Sequence, residues 1–314
     1  MQVTLQPLQV SRFQPTGFPD QGAAIYKTGE GQQLLVESEQ SMSNRLEAVC
    51  WDDAAQDVIA PLRGISYVRV ERGGEFLTSS ILEAHRLDSF YILNNAEFKQ
   101  RLRDEMKVTK EMPIDFLLMA RVLLRYDCNC LVHGVFLEDI DGRLSMPRSL
   151  SAFIEATGVR VATSGGVKKD HISPTGGTRP EGPTDQDDEA PRKSGAKEGR
   201  GHVPYSREEY TADEITAYFN LDLSQIRACG LAQSAQELLT TMALYKVRRF
   251  LREGLRLRTA CDLEAVGPVL VKRPSGWQLP ELDVLEADLP NLIAAVAAEG
   301  RFTDPPVTTV EFTG

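Results

Sequence analysis

The sequence predicts an α+β fold with one antiparallel sheet. Short segments of strand-like alternation are interleaved with segments of helical period. A composition of 42% hydrophobic and 25% charged residues is that of an ordinary globular chain. No repeat of solenoid type is present, and one Asp-Gly pair, Asp141-Gly142, marks a tight hairpin.

In chain order, residues 2–9 alternate as a strand and 34–37 read as a second. A helix is expected over 42–51, with Ser41 as N-cap. Residues 67–71 read as a strand, 96–107 and 114–126 as helices, the last carrying Arg121 in its apolar middle. The run 130–138 followed by 143–146 reads as a hairpin around Asp141-Gly142. An irregular extended stretch follows residue 204, then a strong helix over 235–252, an edge-like strand at 269–272 and an amphipathic helix over 285–299. With 314 residues the chain can bury a core as one large domain or two small ones.

One boundary is plain. Residues 163–204 are rich in Gly, Pro and charge and hold no aromatic ring apart from histidine, so alone they bury too little to offset the entropy of ordering. Charge within them is segregated, acidic over 185–189 and mostly basic over 192–200. A stretch of this length is a functional arm or a linker.

The five cysteines are odd in number and scattered, which argues against a disulfide framework and for a reducing cytoplasm. The start MQVTLQPLQV has no secretory pattern, and no apolar run approaches membrane-spanning length. A net charge of −10 weighs against nucleic-acid binding, but its distribution is lopsided. Residues 281–314 hold seven acids against the single base Arg301, whereas 234–258 hold six bases against two acids.

That basic run, Lys246, Arg248, Arg249, Arg252, Arg256 and Arg258, begins on the helix whose Leu239, Ala243, Val247 and Phe250 can face the core, which leaves much of it turned to solvent. Its cations complement the helix dipole or contact phosphate. Cys128, Cys130 and His133 resemble a metal set, but a strand puts 133 on the opposite face, so core packing is expected and no metal. EDIDG (138–142) lacks the ligands of a calcium loop. His85 with Ser79 and Ser80 suggests a hydrolase or nuclease as the rival function, yet no G-x-S-x-G frames them. Neutral capping or backbone contact is the reading they favour, though a hydroxyl and an imidazole can equally hold a phosphate or stack on a base. No phosphate-binding G-x-x-x-x-G-K-[ST] occurs, and no cofactor is expected.

Five blocks in order then resemble one family. They are RFQPTGFPD (12–20), LLVESEQSMSNRLEAVCW (34–51), FLTSSILEAHRL (76–87), YTADEITAYFNLDLSQIRACGL (210–231) and ALYKVRRFLREGLRLRTACDLE (243–264). Together they resemble the backbone subunits of type I-G (formerly I-U) CRISPR systems, in the RAMP superfamily. The resemblance implies an RRM-like (ferredoxin-like) antiparallel-sheet palm formed by 1–162 and 205–314, with finger insertions and with 163–204 as a thumb-like or inter-subunit arm. It implies a non-enzymatic subunit that coats a CRISPR RNA in several copies. The expected partners are that RNA, target DNA through the guide, further copies head-to-tail, and the large and guide-processing subunits, all cytoplasmic.

Within these blocks Arg12, Gln14, Asn44 and Arg45 are the first candidates for RNA contact; ion pairing of the arginines with Glu37 or Glu47 is the equal alternative. Ser79, Ser80, His85 and Arg86 come next, then Lys246, Arg248, Arg249 and Arg252. The expected arm contacts are Lys168, Lys169, Arg192, Lys193 and Arg200. The basic strip and the acidic C-terminal region are expected to help neighbouring copies dock.

Overall fold

The computed structural model describes residues 1–18, 21–29, 31–109, 113–169, 171–172 and 202–314. Its centre is a seven-stranded antiparallel sheet in the order Arg256–Arg258, Cys261–Leu270, Gln2–Pro7, Glu214–Leu221, Leu150–Thr157, Gly31–Glu37 and Ile25–Thr28. The sheet is two-faced because its strands alternate. In Leu150–Thr157, the residues Leu150, Ala152, Ile154 and Ala156 are buried and the four between them are half-buried. Helices Glu39–Ala48 and Gln233–Glu253 pack on the buried face, where Phe250 meets Phe219 edge-on. On the opposite face Phe153 stacks on Tyr218 with ring centres 5.0 Å apart.

The chain passes through strand Gln2–Pro7, helix Glu39–Ala48, strands Leu150–Thr157 and Glu214–Leu221, helix Gln233–Glu253 and strand Cys261–Leu270. Residues 49–149 are therefore inserted between the first helix and its returning strand. They carry the hairpin Tyr67–Arg72/Glu75–Ser79, whose Gly73-Gly74 turn has φ of +63° and +81°, as a two-residue hairpin of this twist requires. They also carry helices Ala96–Glu105 and Phe116–Tyr126. The C-terminal region clasps this insertion: helix Leu282–Ala298 packs Leu285, Leu289, Ile293 and Val296 inward, and Val307–Glu311 pairs parallel with Tyr67–Arg72.

Four local expectations change. Ser38, not Ser41, caps the first helix, its hydroxyl accepting from the Ser41 amide. The 130–138 segment is not a strand: Asn129–His133 is helical, ended by Gly134 at φ +78°, and only Val135–Phe136 pairs with Ser145–Met146. The strand expected at 269–272 begins at Cys261. Finally, 163–168 and 203–204 are not loop. Arg160–Lys168 pairs with Val203–Thr211 from Arg160↔Thr211 out to Lys168↔Val203, and Arg12–Phe13 adds a third strand. Composition says nothing of a pairing partner so far away in sequence. Arg192, Lys193 and Arg200 lie outside the described residues.

Candidate nucleic-acid interface

Two buried carboxylates organise the arginines near the base of the ribbon, the pair of strands Arg160–Lys168 and Val203–Thr211 with Arg12–Phe13 beside them. Glu209, on the strand Val203–Thr211, is only 1% exposed and pairs with Arg12 at 2.7 Å and Arg207 at 2.6 Å. Arg12 reaches it because Phe13 is paired opposite Tyr210. Glu37, the last residue of its strand and 2% exposed, is shared by Arg45 at 3.2 Å and by Arg258. Two helical turns carry Arg45 back over Glu37, and its Nη2 also donates to the Leu257 carbonyl. Arg258 Nη1 donates to the carbonyls of Gln14 and Val36, each 3.1 Å away.

The result is four guanidinium groups held by two carboxylates, partly open to solvent; Arg12 is 54% exposed and Arg45 25%. A cleft of about 580 Å³ lies beside them, lined by Gln14, Thr16, Tyr210 and Arg258 among others. Gln14 Oε1 in this cleft, and Asn44 Oδ1 on the helix that carries Arg45, are buried without a hydrogen-bond donor among the described residues. Across the Leu8–Ser11 loop, Arg252 and Arg256 stand 63% and 83% exposed. A surface of this kind binds anions through fixed guanidinium forks.

Arg12, Gln14 and Arg45 are thus gathered in one region, while Asn44 is placed only by its position next to Arg45 on the first helix; Arg207, Glu209 and the inward role of Arg258 are additions the sequence did not suggest. Of the ion pairs expected for the arginines, Arg45–Glu37 forms, while Arg12 pairs with Glu209. Lys168 and Lys169 lie at the far end of the ribbon.

The other candidates lie elsewhere. Arg86 and Lys246 are interior, so the structure does not offer them to a ligand. Arg86 donates to both Glu47 oxygens, at 2.7 and 2.8 Å, and to the Gly134 carbonyl. Lys246 donates to Asn129 Oδ1 at 2.5 Å and lies 2.9 Å from His133 Nε2. Burial, with the Lys246 and Arg86 charges behind it, pushes the His133 pKa well below its ordinary value. His133 is therefore neutral and its Nε2 accepts from Lys246. Ser79 and Ser80 are buried too, and Ser80 accepts from the Val68 amide. His85 is exposed at the start of a 3-10 turn, its neighbour Arg86 turned inward.

Arg248 binds the Pro280 carbonyl and Glu281, while Arg249 binds Glu253 and approaches Glu286 at 3.8 Å. The expected docking of basic strip and acidic C-terminal region between copies is, for these residues, a contact within one chain. Cys128 and Cys130 pack in the core as free thiols, as do the other three cysteines. Among the described residues no group of three His, Cys, Asp or Glu side chains is placed to hold a metal ion, and no helix is long and apolar enough to cross a membrane.

The fold and site define an α+β protein with a cationic surface anchored by buried carboxylates. Residues 1–161, just over half the chain, match the family model of the CRISPR-associated protein GSU0053. The chain belongs to this CRISPR-associated family, and three of the five blocks that carried the resemblance, 12–20, 34–51 and 76–87, fall within the matched span. A comparison with curated proteins gives no match. Among solved structures, one chain of a "CRISPR RNA-guided surveillance complex, pre-nicking" is similar at 13% identity, over 95% of this chain and 88% of that one. Its TM-score is 0.37, too loose for any fold or function to be inferred from it.

Proposed function

We propose that the protein is the CRISPR RNA-binding backbone subunit of a type I-G surveillance complex, a RAMP-superfamily scaffold and not an enzyme. Several copies coat one guide head-to-tail in the cytoplasm and present it to target DNA, beside a large subunit and a guide-processing subunit. Family membership supports a CRISPR role. The strand order Cys261–Leu270, Gln2–Pro7, Glu214–Leu221, Leu150–Thr157, with one helix after the first strand and one after the third, supports the reading of this sheet as an RRM-like palm. On this reading 49–149 is the finger insertion and 163–204 the arm.

The observation that carries the reading is the anchored arginine array. Arg12, Arg45, Arg207 and Arg258 sit on Glu209 and Glu37 and are joined on one side by the exposed Arg252 and Arg256. Fixed cations of this kind suit a phosphodiester backbone, where they position a strand without reading its bases. They also reconcile RNA binding with a net charge of −10, because a subunit touching a few nucleotides needs only a local basic surface.

The test is a titration of the purified protein with two CRISPR RNAs whose spacers are scrambled relative to each other, at low and raised salt. Equal affinities that fall steeply with salt are expected. Tight binding to one spacer alone, at equal salt, overturns the reading.

A further inference from the structure

Helix Phe116–Tyr126 buries Met119, Ala120, Val122, Leu123, Leu124 and Tyr126, yet places Arg121 and Arg125 one turn apart on its outer side. Like charges at this spacing repel. A third guanidinium, Arg301, comes from the end of the C-terminal helix beyond Gly300, whose φ is +66°. All three line one cleft of about 700 Å³ between the insertion and the start of helix Gln233–Glu253.

Two carboxylates line the cleft as well. Glu105 lies 3.7 Å from Arg125 and also accepts from the Tyr126 hydroxyl; Glu299 lies 3.2 Å from Arg301. They balance two of the cations. Arg121 is exposed and has no ion-pair or hydrogen-bond partner among the described residues. The long helix begins at the cleft with Ala232 as its N-cap, which has no side-chain acceptor for the first amides. Leu118 and Val122 supply an apolar floor, and the volume is that of a small-molecule site.

We propose that this cleft binds a nucleotide, its phosphate on Arg121 with Arg125 and Arg301, and its base against Leu118 and Val122. The nucleotide is either free or one residue of a nucleic-acid strand; the phosphate chemistry is common to both. The 21-residue helix Gln233–Glu253 separates the cleft from the arginine array by about 30 Å, so the two sites are distinct and this one does not depend on the guide-binding reading.

Anisotropy titrations of the full chain with fluorescent AMP and with a labelled single-stranded RNA tetranucleotide provide the test, using wild type, Arg121→Ala and Arg12→Ala. Arg121 is exposed, so its removal leaves folding intact. Loss of one charge-assisted phosphate contact weakens binding by about tenfold. Arg121→Ala is expected to lose affinity while Arg12→Ala keeps its affinity for AMP. A loss confined to AMP identifies a free nucleotide as ligand, a loss confined to the tetranucleotide identifies a strand, and a loss with both supports a cleft that takes the phosphate from either source. Unchanged affinity of Arg121→Ala for both probes overturns the proposal, whatever Arg12→Ala does to guide RNA.

Discussion

Arg86 meets Glu47 in a two-point contact, Nε to one oxygen at 2.7 Å and Nη2 to the other at 2.8 Å, with both side chains closed to solvent. The pair ties the 49–149 insertion to the first helix of the sheet. Removing one partner leaves a buried charge uncompensated, at a cost of about 3–5 kcal/mol. Arg86→Ala and Glu47→Ala should each lose that much in urea denaturation. Joint replacement, Glu47→Leu with Arg86→Met, should lose clearly less than the sum of the two. Additive losses would mean that the two groups act independently.

The neighbouring His133 makes stability depend on pH. Its folded pKa lies well below the ordinary value because burial, and then the Lys246 and Arg86 cations, oppose a second proton. As pH falls through about 6.5 the unfolded chain takes up a proton that the folded chain refuses. The contribution is therefore intact above that pH and is lost below it, by up to about 1.4 kcal/mol per pH unit. Denaturation at pH 7.5 and 5.5 should show this loss for wild type. His133→Gln, which keeps an acceptor for Lys246 and does not titrate, should show less of it. Parallel pH profiles for the two proteins would exclude His133 as the source.

Elements with a strong local period were legible in the sequence. The strand Gln2–Pro7 and the helices Ala96–Glu105, Phe116–Tyr126 and Gln233–Glu253 lie within a few residues of their expected positions. The ribbon strand Val203–Thr211 was not, because VPYSREEYT carries little apolar alternation and is ordered by its partners. Arg207 and Glu209 were missed with it. Lys246 was available to a stricter reading: the helical period that puts Leu239, Ala243 and Phe250 inside puts Lys246 inside too. Asn129 and His133, which make its burial tolerable, are more than a hundred residues away in sequence.

The ribbon makes the arm separable from the body. Lys168 faces Val203, so an Asn-Gly link replacing 169–202 closes the two strands with a tight turn. The shortened protein should melt within a few degrees of wild type, since the buried core found among the described residues is kept. If the arm contacts RNA or a neighbouring copy, assembly on guide RNA, followed by light scattering or electron microscopy, should weaken. Assemblies of normal length and target affinity would reduce the segment to a linker.

Within the basic strip the structure predicts a division that charge alone does not. Lys246 is enclosed, and Arg248 and Arg249 are spent on Pro280, Glu281, Glu253 and Glu286. Arg252 and Arg256, four residues apart across the helix end, are 63% and 83% exposed beside Leu8 and Gln9 and keep only long contacts, 3.6 Å to Glu253 and 3.4 Å to Asp262. For a single strand, each phosphate contact contributes a slope of about 0.7 to the fall of log K with log salt. Arg256→Ala and Arg12→Ala should each weaken guide RNA binding severalfold and reduce that slope by about 0.7; Arg256→Ala should leave the melting temperature unchanged, whereas Arg12→Ala should lower it, because buried Glu209 keeps only Arg207. Arg248→Ala should do the reverse, lowering stability through the loss of two carbonyl bonds at 2.8 and 2.5 Å while leaving the salt slope of RNA binding as it was. A salt slope that drops for Arg248→Ala and not for Arg256→Ala would place the RNA on the other side of the helix, against the C-terminal region, and would remove the Glu37–Glu209 array from the binding surface.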